Sequence, residues 1–178
     1  MRTGRRDWLW AVTFLVIIGA VIAVIFMVLT GGSDGPEPDE PAIAGIECDR
    51  GERDDYHVHP QLIVYVEGQL VTITNNIGVI PVEEGDRVEC LYWLHTHNAQ
   101  TGTIHVEAPR EDNYTLGQFF AIWGQPLSST QLLDRTIDAE RSIRATVNGE
   151  LYDGNPADIP LLDKNVIILE YGPPFAES

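Results

Sequence analysis

All five histidines of the 178-residue chain fall between positions 57 and 105. They form two His-x-His pairs, His57/His59 and His95/His97, and a fifth, His105, which Glu107 follows two residues later. Neutral imidazole is a common ligand for zinc, copper, nickel and iron, and three histidines with an open coordination position suit an exchangeable or catalytic ion. One His-x-His pair is a weak signal, because histidines on strands are commonly ordinary hydrogen-bonded polar residues. Two pairs with a fifth histidine facing them make a stronger one. The candidate metal ligands are therefore His57, His59, His95, His97, His105 and Glu107. They outnumber the four donors of a tetrahedral ion, so either two imidazoles support the ligands or the site holds two ions. Asp54 and Asp55 are candidates to orient a ligand imidazole through its other ring nitrogen. A histidine cluster that titrates near pH 6.5 and a purely structural network are the competing readings.

Strands must position these residues. Residues 56–66, YHVHPQLIVYV, are rich in β-branched and aromatic types, and Glu67-Gly68 then leads into Leu70–Ile73, which predicts a hairpin. Residues 88–97 and 103–108 form a second predicted pair across the loop Asn98–Gly102. Alternation places residues two apart on one face, so His57 and His59 project together, as do His95 and His97. With a five-residue loop, 95 faces 105 and 97 faces 103. His105 and Glu107 then join the histidine face, while Tyr92, Leu94, Ile104 and Val106 fall on the apolar one. A four-residue loop would move His105 to the opposite face.

Further along, Asn148-Gly149 between ATV and ELY is a type I′ hairpin signal, and Asn165–Tyr171 reads as a late buried strand. Thr115 is placed to cap a short helix through Leu116, Phe119, Phe120, Ile122 and Trp123, with Gly124 near its stop. Ser128 or Ser129 is a candidate cap for a second helix through Leu132 and Leu133. The aromatic residues Trp93, Phe119, Phe120 and Trp123 read as core.

The only methionines are Met1 and Met27, so the Cys thiolate with a weak axial Met of a blue-copper site is excluded. An all-imidazole copper or zinc site remains, and copper displaces zinc where it is available. Cys48 and Cys90, the only cysteines, are expected to form a disulfide if the domain is exported, since an oxidising compartment favours the bond. Two thiolate ligands are the alternative.

The segments Ile80–Glu89 (IPVEEGDRVE), Leu94–Glu107 (LHTHNAQTGTIHVE) and Thr115–Gly124 (TLGQFFAIWG) resemble a family of uncharacterised membrane-anchored bacterial and archaeal proteins. The first two are more distantly similar to cupredoxin-type copper proteins, in which a Gly-Asp turn leads into a strand that delivers histidines. The resemblance implies an extracytoplasmic metal-binding domain with His95, His97 and His105 at the matching positions. The lack of a Cys-His-Met ligand set departs from mononuclear cupredoxins and speaks against electron transfer.

Residues 8–29 are an uncharged, almost wholly apolar run of 22, long enough to cross a hydrocarbon core of about 30 Å as a helix. Arg2, Arg5 and Arg6 precede it and Asp34, Glu37, Asp39 and Glu40 follow it, so the positive-inside rule predicts a cytoplasmic N-terminus. A cleavable signal peptide is the competing reading, but its apolar region would be shorter. The expected organisation is a cytoplasmic tail (1–7), a single transmembrane helix (8–30), a Gly/Pro/acid-rich flexible linker (31–41) and an outer domain (42–178). That outer domain is expected to be mainly antiparallel β (α+β) with one or two short helices, on the outer side of the plasma membrane.

The chain has 27 acidic and 11 basic residues, a formal charge of −16 that becomes −18 without residues 1–30. Binding to nucleic acid is thereby disfavoured, because phosphate recognition needs clustered Lys and Arg. The leading expectation is a membrane-tethered protein that holds or delivers copper or zinc. A metal-dependent enzyme with a three-His site is the alternative, with Glu107 as base or fourth ligand; neither H-E-x-x-H, a nucleophile elbow nor a phosphate loop is present. An interaction module of an envelope complex, with structural histidines, is the third reading, and an exposed apolar patch on the 116–123 helix would favour it.

Overall fold

In the computed structural model, which describes residues 40–82, 88–98 and 102–175, Pro60 divides the first predicted strand. Its first part, β2 (Tyr56–Val58), and its second, β3 (Gln61–Val66), belong to different sheets. Proline has no N–H to donate to a ladder, and the Pro60 carbonyl instead accepts from Ile104 N at 2.9 Å. The predicted hairpin holds for the second part, since β3 pairs antiparallel with β4 (Gln69–Val71) through Glu67-Gly68.

The fold is mainly antiparallel β with one α-helix among the described residues. The largest sheet is five-stranded. It adds β11 (Ser142–Val147), β12 (Glu150–Leu151) and β13 (Val166–Gly172) to β3 and β4, in the order β12-β11-β13-β3-β4. Asn148 and Gly149, at φ 53° and 83°, turn β11 into β12 as their types require. The late strand β13 pairs parallel to β3, the parallel exception in a domain that is, as expected, mainly antiparallel. A parallel pair needs a long crossover, and the chain between β3 and β13 supplies it.

A second sheet carries the histidines. The pair predicted for 88–97 with 103–108 appears as β6 (Val88–Tyr92), β7 (Leu94–His95) and β8 (His105–Ala108), and the sheet order is β2-β8-β7. β6 pairs with β1 (Cys48–Asp49) and β5 (Val79–Pro81) in a third sheet. The disulfide Cys48–Cys90 links β1 to β6 with a Cα–Cα distance of 5.5 Å. It thereby joins the segment leading into His57 and His59 to the one leading into His95 and His97. The Gly85-Asp86 turn, residues 31–39 of the linker and the proposed membrane span lie outside the described residues. Among the described residues no helix is long and apolar enough to cross a membrane.

Leu62, Val64, Ile167 and Leu169 from the large sheet meet Leu94 and Val106 from the histidine-bearing sheet, and Ile104 just before β8, in one buried cluster. The helix α1 (Leu116–Trp123) adds Leu116, Phe119 and Phe120, so it is not an exposed apolar face. Its start is the one predicted. Gln118 N donates to the Thr115 hydroxyl at 3.4 Å, and Thr115 N donates to Gln118 Oε1 at 2.9 Å, a capping box closed at the far end by Gly124 at φ 70°. Replacing Thr115 with Ala should cost about 1 kcal/mol, read as a lower urea midpoint with an unchanged slope.

The second predicted helix is absent. β9 (Gln131–Leu132) and β10 (Arg135–Thr136) form a small antiparallel hairpin there, with Leu133 at φ 55° in its turn. The Ser128 hydroxyl accepts from Thr130 N at 3.2 Å and so stabilises a local turn rather than a helix start. Two adjacent leucines do not make a helical stripe, and Leu132 alone is fully buried while its neighbour is not.

Candidate metal centre

β8 is the middle strand of its sheet, and the two His-x-His pairs flank it. His57 of β2 lies opposite Glu107, and His95 of β7 lies opposite His105. The 95-to-105 register is the one that the five-residue loop requires. The 97-to-103 pair does not form, and Thr103 bridges Gln61 on the other side of β8. Gly102 makes that crossing possible: it sits at φ 66°, a Cβ there would collide with the Leu62 carbonyl, and its own carbonyl accepts from Leu62 N at 2.8 Å.

The alternation divides the faces as expected. Tyr92, Leu94, Ile104 and Val106 are buried in the core, and the histidines and Glu107 gather on the other side. One donor atom from each of His95, His97, His105 and Glu107 lies within 4.8 Å of the other three, and the same holds for His57, His59 and His105. All six sequence-predicted ligand candidates therefore converge in two groups that share His105. Atoms that close to one another lie within about 3 Å of a common centre, near the bond length of about 2 Å for zinc to nitrogen.

Hydrogen bonds set the ring orientations. His95 Nδ1 donates to the Tyr92 carbonyl at 2.9 Å. A carbonyl only accepts, so in the neutral ring the lone pair is on Nε2, which faces His97 Nε2 at 3.2 Å. Such a backbone partner is the usual device for orienting a metal-binding imidazole. Glu107 Oε1 lies 3.0 Å from both His105 Nδ1 and His57 Nε2. Its Oε2 is buried with no hydrogen-bond partner and lies 3.8 Å from His95 Nε2.

Burial keeps these groups uncharged more than water would. His95 is 1% exposed. Burial, with the nearby imidazoles of His97, His105 and His57 acting in the same direction against the Tyr92 carbonyl, lowers its pKa to about 4. Burial and the imidazoles of His97, His59 and His57 lower His105 to about 4 as well. Both rings are then neutral near pH 7, the form that binds metals. Burial, reinforced by the Glu52 carboxylate, raises the pKa of Glu107. His57, His59 and His97 are exposed at the rim.

The supporting acids differ from those expected. Asp54 Oδ1 is 3.9 Å from His57 Nδ1, beyond hydrogen-bonding reach, and Asp55 is exposed. Glu52 instead reaches His97, with Oε1 3.3 Å from Nε2. The acidic run 49–55 carries a signal for such a residue. Which acid meets a histidine depends on how the loop is held, and Asp49 anchors it by accepting from Trp93 Nε1 at 2.8 Å and Arg53 Nε at 2.6 Å.

The donor set tests well against a transition ion. Four groups of nitrogen and oxygen type match a tetrahedral zinc or an imidazole-rich copper site in number and chemistry. A buried carboxylate oxygen without a partner is expensive to maintain, and a cation at that position would satisfy it. No protein-family model, curated protein or solved structure matches this chain.

Proposed function

We propose that this is a membrane-tethered metal-binding protein whose outer domain holds or delivers zinc or copper through His95, His97, His105 and Glu107. One observation carries the reading: a buried, unpartnered carboxylate oxygen, Glu107 Oε2, faces an oriented imidazole nitrogen, His95 Nε2. A structural network would be expected to pair that oxygen, since nearly all buried polar atoms find a partner. The tether is the apolar run 8–29, and the strongly acidic chain attracts cations toward the site.

The full-length chain, purified in detergent and stripped with a chelator, should take up Zn(II) or Cu(II) tightly in a competition titration. His97→Ala should weaken binding by more than the 10- to 100-fold, roughly, that losing a ligand's hydrogen-bond partner costs. Wild-type protein that binds neither ion overturns the proposal. Titration with both ions present ranks them, and copper should prevail on intrinsic affinity.

A further inference from the structure

We infer that the histidine face holds two metal ions: an inner one at His95, His97 and Glu107, and an outer one at His57, His59 and His105. The inference rests on the metal-binding reading above and extends it.

The sheet register is the first support. β8 runs between β2 and β7, with His57 opposite Glu107 and His95 opposite His105. The same β2–β8 register, continued past Val58, puts His59 opposite His105, and the Gln61–Thr103 bridge keeps that register two residues further on. His105 therefore stands in a row between His59 and His95. The ring centroids agree, with His105 4.7 Å from His59 and 5.4 Å from His95.

Ligand counting is the second. Six donors are more than one tetrahedral ion takes, and His57 and His59 form a close group with His105 rather than with His95 and His97. A neutral imidazole has one free lone pair and serves one ion at a time. His105 thus completes the inner set when a single ion is bound, and turns to the outer set when both are.

The carboxylate of Glu107 is the third. Its two oxygens face different sets. Oε1, 3.0 Å from His57 Nε2 and from His105 Nδ1, can accept an N–H from each ring and leave the other nitrogen of each free for an ion. Oε2 faces His95 without a partner. One residue would then orient two outer ligands and ligate the inner ion. Charge balance favours double occupancy, because Glu52 beside His97 and Asp54 beside His57 add negative charge at the rim. The outer set is the more solvent-exposed, so it should bind more weakly and fill second.

The test uses Zn(II) alone as the probe on the full-length chain, with bound zinc counted by elemental analysis and affinities taken from competition titration. Wild-type protein should bind two equivalents in two steps. His59→Ala should lose the weaker equivalent and keep the tighter one. His97→Ala should lose the tighter one. Because the His59 side chain is exposed, its variant should keep the wild-type far-UV spectrum, and His59→Gln provides a second variant of closer size. Wild-type protein with one equivalent that His59→Ala does not change overturns the two-ion inference and leaves the metal-binding reading standing. Two equivalents retained in both His59 variants also overturn it. No zinc bound to wild-type protein overturns both.

Discussion

Glu107→Gln is expected to make the metal-free protein more stable while abolishing most of its metal affinity. The glutamate side chain is 2% exposed, and its Oε2 has no hydrogen-bond partner. An unsatisfied buried acceptor costs about 1 to 3 kcal/mol, more when charged. A glutamine in the same place keeps an oxygen to accept from His105 and His57. It also offers an N–H toward the lone pair of His95 Nε2, now 3.8 Å from Oε2. The apo variant should therefore melt several degrees higher. The metal loses its anionic ligand, so affinity should fall by at least about 100-fold, the upper end of the cost of losing only a ligand's hydrogen-bond partner. A ligand at 100 times its Kd stabilises the folded state by about 2.7 kcal/mol. Zinc at that level should raise the wild-type melting temperature clearly and the variant's only slightly, by the equivalent of about 0.4 kcal/mol or less. A variant that binds zinc like wild type, or whose apo form is less stable, would contradict the role assigned to Oε2.

Acid should destabilise the metal-free protein over a defined window. Burial holds the pKa of His95 at about 4, against 6.5 for a free imidazole. Between those values the unfolded chain binds the proton and the folded one does not, so stability falls as pH drops from about 6.5 toward 4. For His95, fully buried, the loss is on the order of 3 kcal/mol. His105 titrates in the same direction, also at about 4. Glu107 opposes them: its raised pKa means the folded state takes up its proton first, which stabilises the fold as pH falls through that range. The histidines should prevail because two of them act together over more than two pH units. Thermal melts in chelator from pH 7.5 to 4 should show a fall on the order of 10 °C, reduced in His95→Leu. A flat profile, or an NMR titration of His95 centred near 6.5, would refute the assignment. Bound metal should be released over the same range, because protons compete for the same lone pairs.

The capped helix at Thr115–Gly124, the Asn148-Gly149 hairpin and the inward face of Leu94, Ile104 and Val106 were all legible, because each depends on residues close in sequence. The same is true of the 95-to-105 register, which loop parity alone decides. The mistaken helix at 128–133 has a local cause too: a serine hydroxyl can close a turn as well as cap a helix, and Leu132 and Leu133 did not discriminate between them.

What the chain determined by itself is the donor chemistry and its facing: five histidines and a glutamate at even spacings along their strands, a cysteine pair that closes in the disulfide, and a strongly acidic charge. Only the tertiary structure decided that β8 lies in the middle, with one His-x-His pair on either side. It alone revealed that Pro60 splits a strand between two sheets, that β13 runs parallel to β3, and that Glu52 rather than Asp54 meets a histidine. The physical reason is the range of the interactions. Alternation and turn chemistry act over a few residues, whereas strand order and the burial that leaves Glu107 Oε2 without a partner arise from segments more than a hundred residues apart packing on one core.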